Sequence, residues 1–267
     1  MNARLAAAVL AGFQLISAAA TAADKYYVLS GGDTPAGNHY SQYLQTKALY
    51  DYLHELRGPH VRVSFGSGQR PDQNVTLADV HRSVTSPAGY RLSKTLPGII
   101  ANNEPATAAN VKKYFDSGAM QSQQAGDTFF LLVSDHGMPN RNESGDKDKT
   151  YSDNCINLWA FDVLAGDEFK QRPFDERCLS RSELEKLLAT KVRAKKTVFA
   201  MSQCYSGGFH QMSVKSSGGY PVANPAICGY TAVTPDTWAS GCTPDADGPS
   251  YQGYERSLTE QITGIDF

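Results

Sequence analysis

Two runs constrain the fold of this chain most: Thr128-Phe-Phe-Leu-Leu-Val133 and Thr197-Val-Phe-Ala-Met201. Neither alternates apolar with polar residues. A strand with one wet face alternates with period two. A strand buried on both faces reads as a continuous apolar run and belongs to a parallel sheet covered by helices on both sides. Lys25-Tyr-Tyr-Val-Leu-Ser30, Val61–Phe65 and Ala226–Val233 read as further strands, with Ile156–Phe161 as an extra one. Helical patterns lie between them. Residues 39–56 offer Tyr43, Leu49, Tyr50, Leu53 and Leu56 to one side, and Gly58-Pro59 stops them. Ala108–Phe115 and Tyr254–Ile262 read as helices. Ser180-x-x-Glu183 is a capping box opening a helix to about Lys191. Residues 66–98 and 138–154, rich in polar residues, read as irregular. Strands alternating with helices predict a single α/β domain with a mostly parallel sheet.

The composition, 41% apolar and 19% charged in 267 residues, excludes a mainly disordered chain. Lys and Arg number 25 against 27 Asp and Glu, a net charge of −2. Without a basic excess, binding of nucleic acid through its phosphates is not expected. No wholly apolar run reaches the roughly 18 residues of a spanning helix, so no membrane span is expected either.

Residues 1–22 read as a secretory leader. Arg4 supplies a positive start, Leu5–Ile16 an apolar stretch, and Ala20-Thr21-Ala22 small residues for cleavage near Ala22. Residues 23–267 then form the mature domain, placed in a periplasmic or extracellular space where disulfides persist. The five cysteines are Cys155, Cys178, Cys204, Cys228 and Cys242. Proximity along the chain suggests Cys155–Cys178 and Cys228–Cys242, although the sequence leaves the connectivity open. Cys204 is then the odd thiol.

The chemistry follows the two apolar runs. The first continues into Ser134-Asp135-His136-Gly137, the second into Ser202-Gln203-Cys204-Tyr205-Ser206-Gly207-Gly208. Ligands of open parallel sheets bind beyond the carboxyl ends of the strands. An imidazole beside a thiol lowers the thiol pKa and makes a nucleophile. The N–H groups of Gly137 and Cys204 are candidates for an oxyanion hole, and the glycines for close approach of a substrate backbone. His39, His54, His60, His81 and His210 lack ligand spacing. The stretch Asp146-x-Asp148 onward lacks the Gly and Glu of a calcium loop, so no metal is expected. Ser30-Gly-Gly-Asp-Thr-Pro-Ala-Gly37 lacks a phosphate-loop pattern and reads as a turn or a loop on the substrate side. Trp159 and Trp238 read as core or pocket-wall residues.

The Asp-His-Gly and Cys-x-Ser-Gly motifs, in this order on successive core strands, resemble those of the caspase–legumain–metacaspase group of cysteine peptidases, most closely its legumain-like branch. Asn38 and Gln42 fall at the spacing of an Asn and a Gln in legumain. The resemblance spans Tyr26 to Ile262. It implies a caspase-like three-layer α/β/α sandwich, a His136–Cys204 dyad, a peptide or protein substrate and no cofactor. The segment 138–179 reads as an insertion pinned by Cys155–Cys178.

The pocket for the residue before the scissile bond departs from the family. The acidic position two residues before the cysteine is Ser202, and an Arg two residues after the Asn is Tyr40. In this group that pocket is walled by the equivalents of Asn38, Tyr40, Ser202, Thr231 and Asp236. These residues supply one carboxylate and no cation, and a buried unpaired charge is costly. They predict a small or uncharged polar side chain before the cleaved bond, read by Ser202 and Thr231. The expected activity is a secreted cysteine endopeptidase acting through an acyl-enzyme. A transpeptidase or ligase would use the same dyad, and a non-catalytic binding domain on the same fold is the contrasting reading.

Overall fold

A computed structural model describes residues 23–70, 74–78, 93–97, 100–139, 151, 153–163, 169–239 and 254–264. In chain order come β1 (Lys25–Ser30), α1 (Tyr40–Arg57), β2 (Val61–Phe65), β3 (Asn74–Ala78), β4 (Ser93–Pro97), α2 (Ala108–Phe115), α3 (Gly118–Gln121), β5 (Thr128–Val133) and β6 (Gly137–Met138). There follow β7 (Cys155–Asn157), β8 (Phe161–Val163), β9 (Phe169–Gln171), α4 (Phe174–Arg177), β10 (Cys178–Ser180), α5 (Arg181–Lys191) and β11 (Lys196–Met201). A 3-10 helix (Ser206–Ser213), β12 (Val214–Ser217), β13 (Tyr220–Ala223), β14 (Ile227–Thr231) and α6 (Tyr254–Thr263) complete the order.

Five strands form the central sheet in the order β14-β11-β5-β1-β2, every pair parallel. Side chains alternate across it. Tyr27, Leu29, Phe129, Leu131, Val133, Phe199 and Met201 join Val111, Tyr114 and Phe115 of α2 and Leu184 and Leu188 of α5. Tyr26, Val28, Val63, Phe65, Leu132 and Ala200 join Tyr43, Leu49, Tyr50 and Leu53 of α1, with Leu258 and Ile262 of α6 packed against them. Both faces are therefore dry, which is why β5 and β11 lack polar alternation. The α/β reading and the mostly parallel sheet hold.

Local signals also hold. Ser180 Oγ accepts from Glu183 N at 3.2 Å and starts α5. Gly58, at φ 52°, ends α1 with its N–H on His54 O. Leu56, expected against the core, is 57% exposed. Residues 55–57 are all exposed, so the last turn of α1 projects beyond the core.

The irregular reading of 66–98 is corrected: β3 and β4 pair as an antiparallel ladder from Asn74↔Pro97 to Ala78↔Ser93. Val75 and Leu77 are its only large apolar residues in β3, too few to stand out in a polar stretch. The segment 138–179 also carries regular structure. β10-β7-β6 is a three-stranded sheet, and β8 pairs with β9. Residues 140–150 and 152, with most of the calcium-like stretch, lie outside the described residues, while Asp153 at its end accepts the N–H and hydroxyl of Ser182. A disulfide joins Cys155 to Cys178 across 23 positions. On the chain-entropy account a loop of that size contributes roughly 3 kcal/mol. Among the described residues, no helix is long and apolar enough to cross a membrane.

Candidate active site

Parallel pairing puts the ends of β1, β5 and β11 at one edge of the sheet, with Val133 opposite both Leu29 and Met201. The loops that leave those strands, 31–39, 134–137 and 202–208, meet there.

Asp135 ties the first two loops together. It is buried, and its carboxylate accepts N–H bonds from Gly31, from Gly32 at 2.9 Å and from His136 at 2.6 Å. Burial pushes its pKa well above the usual carboxylate range, the three N–H groups pull it down, and the Asp33 charge adds to the rise. Asp33 sits in the same loop at φ 55°, with its carbonyl held by Ala160 N at 2.7 Å. Burial raises the Asp33 pKa too, against the opposing pull of His136 and Arg177.

The loop so anchored holds the imidazole. His136 Nε2 lies 2.7 Å from Gly37 O. A carbonyl oxygen only accepts, so Nε2 carries a proton, and when the ring is neutral Nδ1 is the nitrogen with the lone pair. The ring of His39, at the start of α1, meets His136 edge to face at 5.4 Å.

Gly137 brings the second and third loops into contact. A β-carbon there would fall 2.1 Å from Cys204 O and 2.8 Å from Gln203 Cγ. Asn157 N donates to His136 O at 3.0 Å, so the facing pair Gly137↔Ile156 is not itself hydrogen-bonded. The Gly137 N–H therefore points away from β7, out of the β6 edge of the small sheet. His136, Gly137 and Cys204 are each half-buried, and Ala239 N donates to Cys204 Sγ at 3.3 Å. Such an N–H stabilises a thiolate. Gly137→Ala is expected to destabilise the domain by about 1–3 kcal/mol, because a β-carbon 2.1 Å from Cys204 O forces the backbone to shift. Thermal melting would check this, and an unchanged melting temperature would show that the two strand ends do not depend on this contact.

The turn after the cysteine is braced from the side. Tyr205 has φ 59°, a left-handed conformation that non-glycine residues adopt at a cost. Tyr205 N donates to Thr237 O at 2.8 Å. Asn154, fully buried, donates from Nδ2 to Tyr205 O and to Pro235 O, both at 2.8 Å. β-carbons on Gly207 and Gly208 would meet Val233 O at 2.5 Å and Asn154 Nδ2 at 2.6 Å. These glycines therefore admit the protein's own chain, where a substrate backbone was expected. Tyr205 stacks on Tyr151 at 6.1 Å and takes a bond from Trp238 Nε1 on its hydroxyl. Trp159 is in the core, while Trp238 is 73% exposed.

The residues expected to wall a pocket are placed differently from one another. Asn38 is fully buried, its Nδ2 on Thr76 O at 2.6 Å and its carbonyl on Ala78 N at 2.8 Å, so it supports the loop from within. Gln42 supports the same bend by accepting His39 N at 3.1 Å. Tyr40 is half-buried and stacks on Tyr43 at 5.8 Å. Ser202 is buried and its hydroxyl donates to Val133 O at 3.1 Å, which leaves it only a lone pair to offer. Thr231 ends β14, half-buried. Asp236 is exposed, and bonds from Thr234 and Thr237 hold its carboxyl below the usual range.

Cys228 lies exposed on β14 and is bonded to no described cysteine, while Cys242 falls outside the described residues. No cluster of three His, Cys, Asp or Glu fit for a metal occurs among the described residues. Asp135 stood in the sequence motif without a role, and Asp33 and Asn154 carried no signal. Only the Gly31-Gly32 pair, placed directly after a strand, marked that loop as a tight turn beside a site. No family model and no curated protein matches the chain.

Proposed function

We propose that the chain is an exported cysteine endopeptidase of the caspase–legumain type, working on the carboxyl edge of its parallel sheet. The observation that carries the reading is the Nε2–H···O bond from His136 to Gly37, which leaves Nδ1 as the base, in a loop whose next residue abuts Cys204. Nδ1 takes the Cys204 proton, and the thiolate adds to the peptide carbonyl. The Gly137 N–H receives the charge that develops on oxygen. The imidazolium returns the proton to the leaving amine, and water then hydrolyses the thioester. Asp135, Asn38 and Asn154 hold the three loops in place. The helices on both faces of the sheet support a three-layer sandwich, and the leader at 1–22 with the Cys155–Cys178 bond supports export.

The test is labelling by an acyloxymethyl-ketone peptide series varied at the residue before the reactive carbonyl. Small and uncharged polar residues should label Cys204 fastest, with Asp slowest. Labelling confined to Cys228 would overturn the reading. Fast labelling by Arg or Lys that disappears in Asp236→Asn would move only the specificity, to a pocket in which one exposed carboxylate suffices.

A further inference from the structure

The opposite edge of the sheet holds a carboxylate that the proposed chemistry does not use. Asp127, just before β5, is 2% exposed. Its Oδ1 accepts the backbone N of Ala23 at 2.7 Å, and its Oδ2 accepts Gln124 N at 2.7 Å. Asp24 reaches the other way and takes Thr128 N on Oδ1 at 2.8 Å. Side chains thus lace the start of β1 to the start of β5, where Lys25 faces Phe129. None of the ion pairs among the described residues involves Asp127. Two amide dipoles leave a buried carboxylate short of a counter-charge.

The nitrogen already on Asp127 is that of the residue following Ala20-Thr21-Ala22, the small-residue pattern of a leader cleavage site. Residues 1–22 lie outside the described residues, but Ala23 N does not. We infer that hydrolysis of the Ala22–Ala23 bond creates an α-ammonium that ion-pairs with Asp127, so that removal of the leader locks β1 onto β5. Water adds across the bond. Ala22 leaves with the carboxylate, and Ala23 N gains protons without leaving its place 2.7 Å from Oδ1. The uncleaved amide already donates to an ionised oxygen, and the ammonium adds at the same 2.7 Å a full opposite charge, whose Coulomb attraction the amide dipole lacks.

This inference does not depend on the peptidase reading, and neither does its test. The exported protein should begin at Ala23 by mass spectrometry of its N-terminal peptide. A version exported with Gly-Ser kept before Ala23 should melt about 4 °C lower. In Asp127→Asn the two N-termini should melt together. N-terminal acetylation of the natural mature protein removes the charge alone and should reproduce the loss, which keeps the test decisive if Asp127→Asn fails to fold. A start at another residue, an extension or acetylation without effect, or an equal loss in Asp127→Asn would each overturn the inference.

Discussion

Cys204→Ala is expected to lower peptide cleavage by at least about 10⁴-fold, because the covalent route disappears with the nucleophile. His136→Ala should cost about as much, and the double variant little more than either one, since the two groups act as a unit. Stability should barely change. Cys204 is half-buried, and the contacts of its thiol include the N–H and the carbonyl of Ala239 rather than the packed core. Turnover by purified variants, read beside their melting curves, checks both statements. Wild-type turnover by Cys204→Ala would refute the mechanism. A folded but equally slow pair of single variants would support it.

Asp135→Ala is expected to be the most damaging change outside the dyad. Three backbone N–H groups lose their acceptor in a buried place. Each unmet buried donor costs roughly 1–3 kcal/mol, so the loss should be about 3 kcal/mol or more. For a domain of this size that lowers the melting temperature by about 6–12 °C. Asp135→Asn keeps one oxygen for Gly32 and His136 but turns an amide NH2 toward Gly31, and should fall between the two. Activity should fall with stability, because the same carboxylate fixes the loop whose Gly37 carbonyl orients His136. The informative readout is the split of kinetic constants at a temperature where all variants are folded. A lower kcat with unchanged KM marks misplacement of the base. An unchanged kcat would restrict Asp135 to a structural part.

Much of the central architecture was legible in the chain. The runs at β5 and β11 announce buried parallel strands, because a strand dry on both faces has no position where a polar residue is free. Ser180 and Gly58 mark a helix start and a helix end through bonds that are local in sequence. Other elements were hidden. The β3–β4 pair is short and mostly polar, and β6 and β10 are short strands that exist only through partners distant in sequence, while the strand expected over Ile156–Phe161 is divided between β7 and β8. The 3-10 helix after Cys204 and the fully exposed β12–β13 pair carry no apolar periodicity.

For the site, the sequence by itself determined which reactive groups stand at the ends of buried strands, since a continuous apolar run both makes the strand and dictates where its end lies. Proximity along the chain suggested the Cys155–Cys178 pairing without fixing it, and the structure shows that bond. Only the tertiary structure decided what those groups touch. The tautomer of His136 follows from Gly37, 99 positions away. Asp135 is held by Gly31 and Gly32, and Asn154 reaches across 51 positions to Tyr205. Asn38, expected to face a substrate, is buried as a strut. Hydrogen bonds of this kind need only one donor and one acceptor at the right separation. They leave no period and no spacing in the chain, and are set when the strand ends come together.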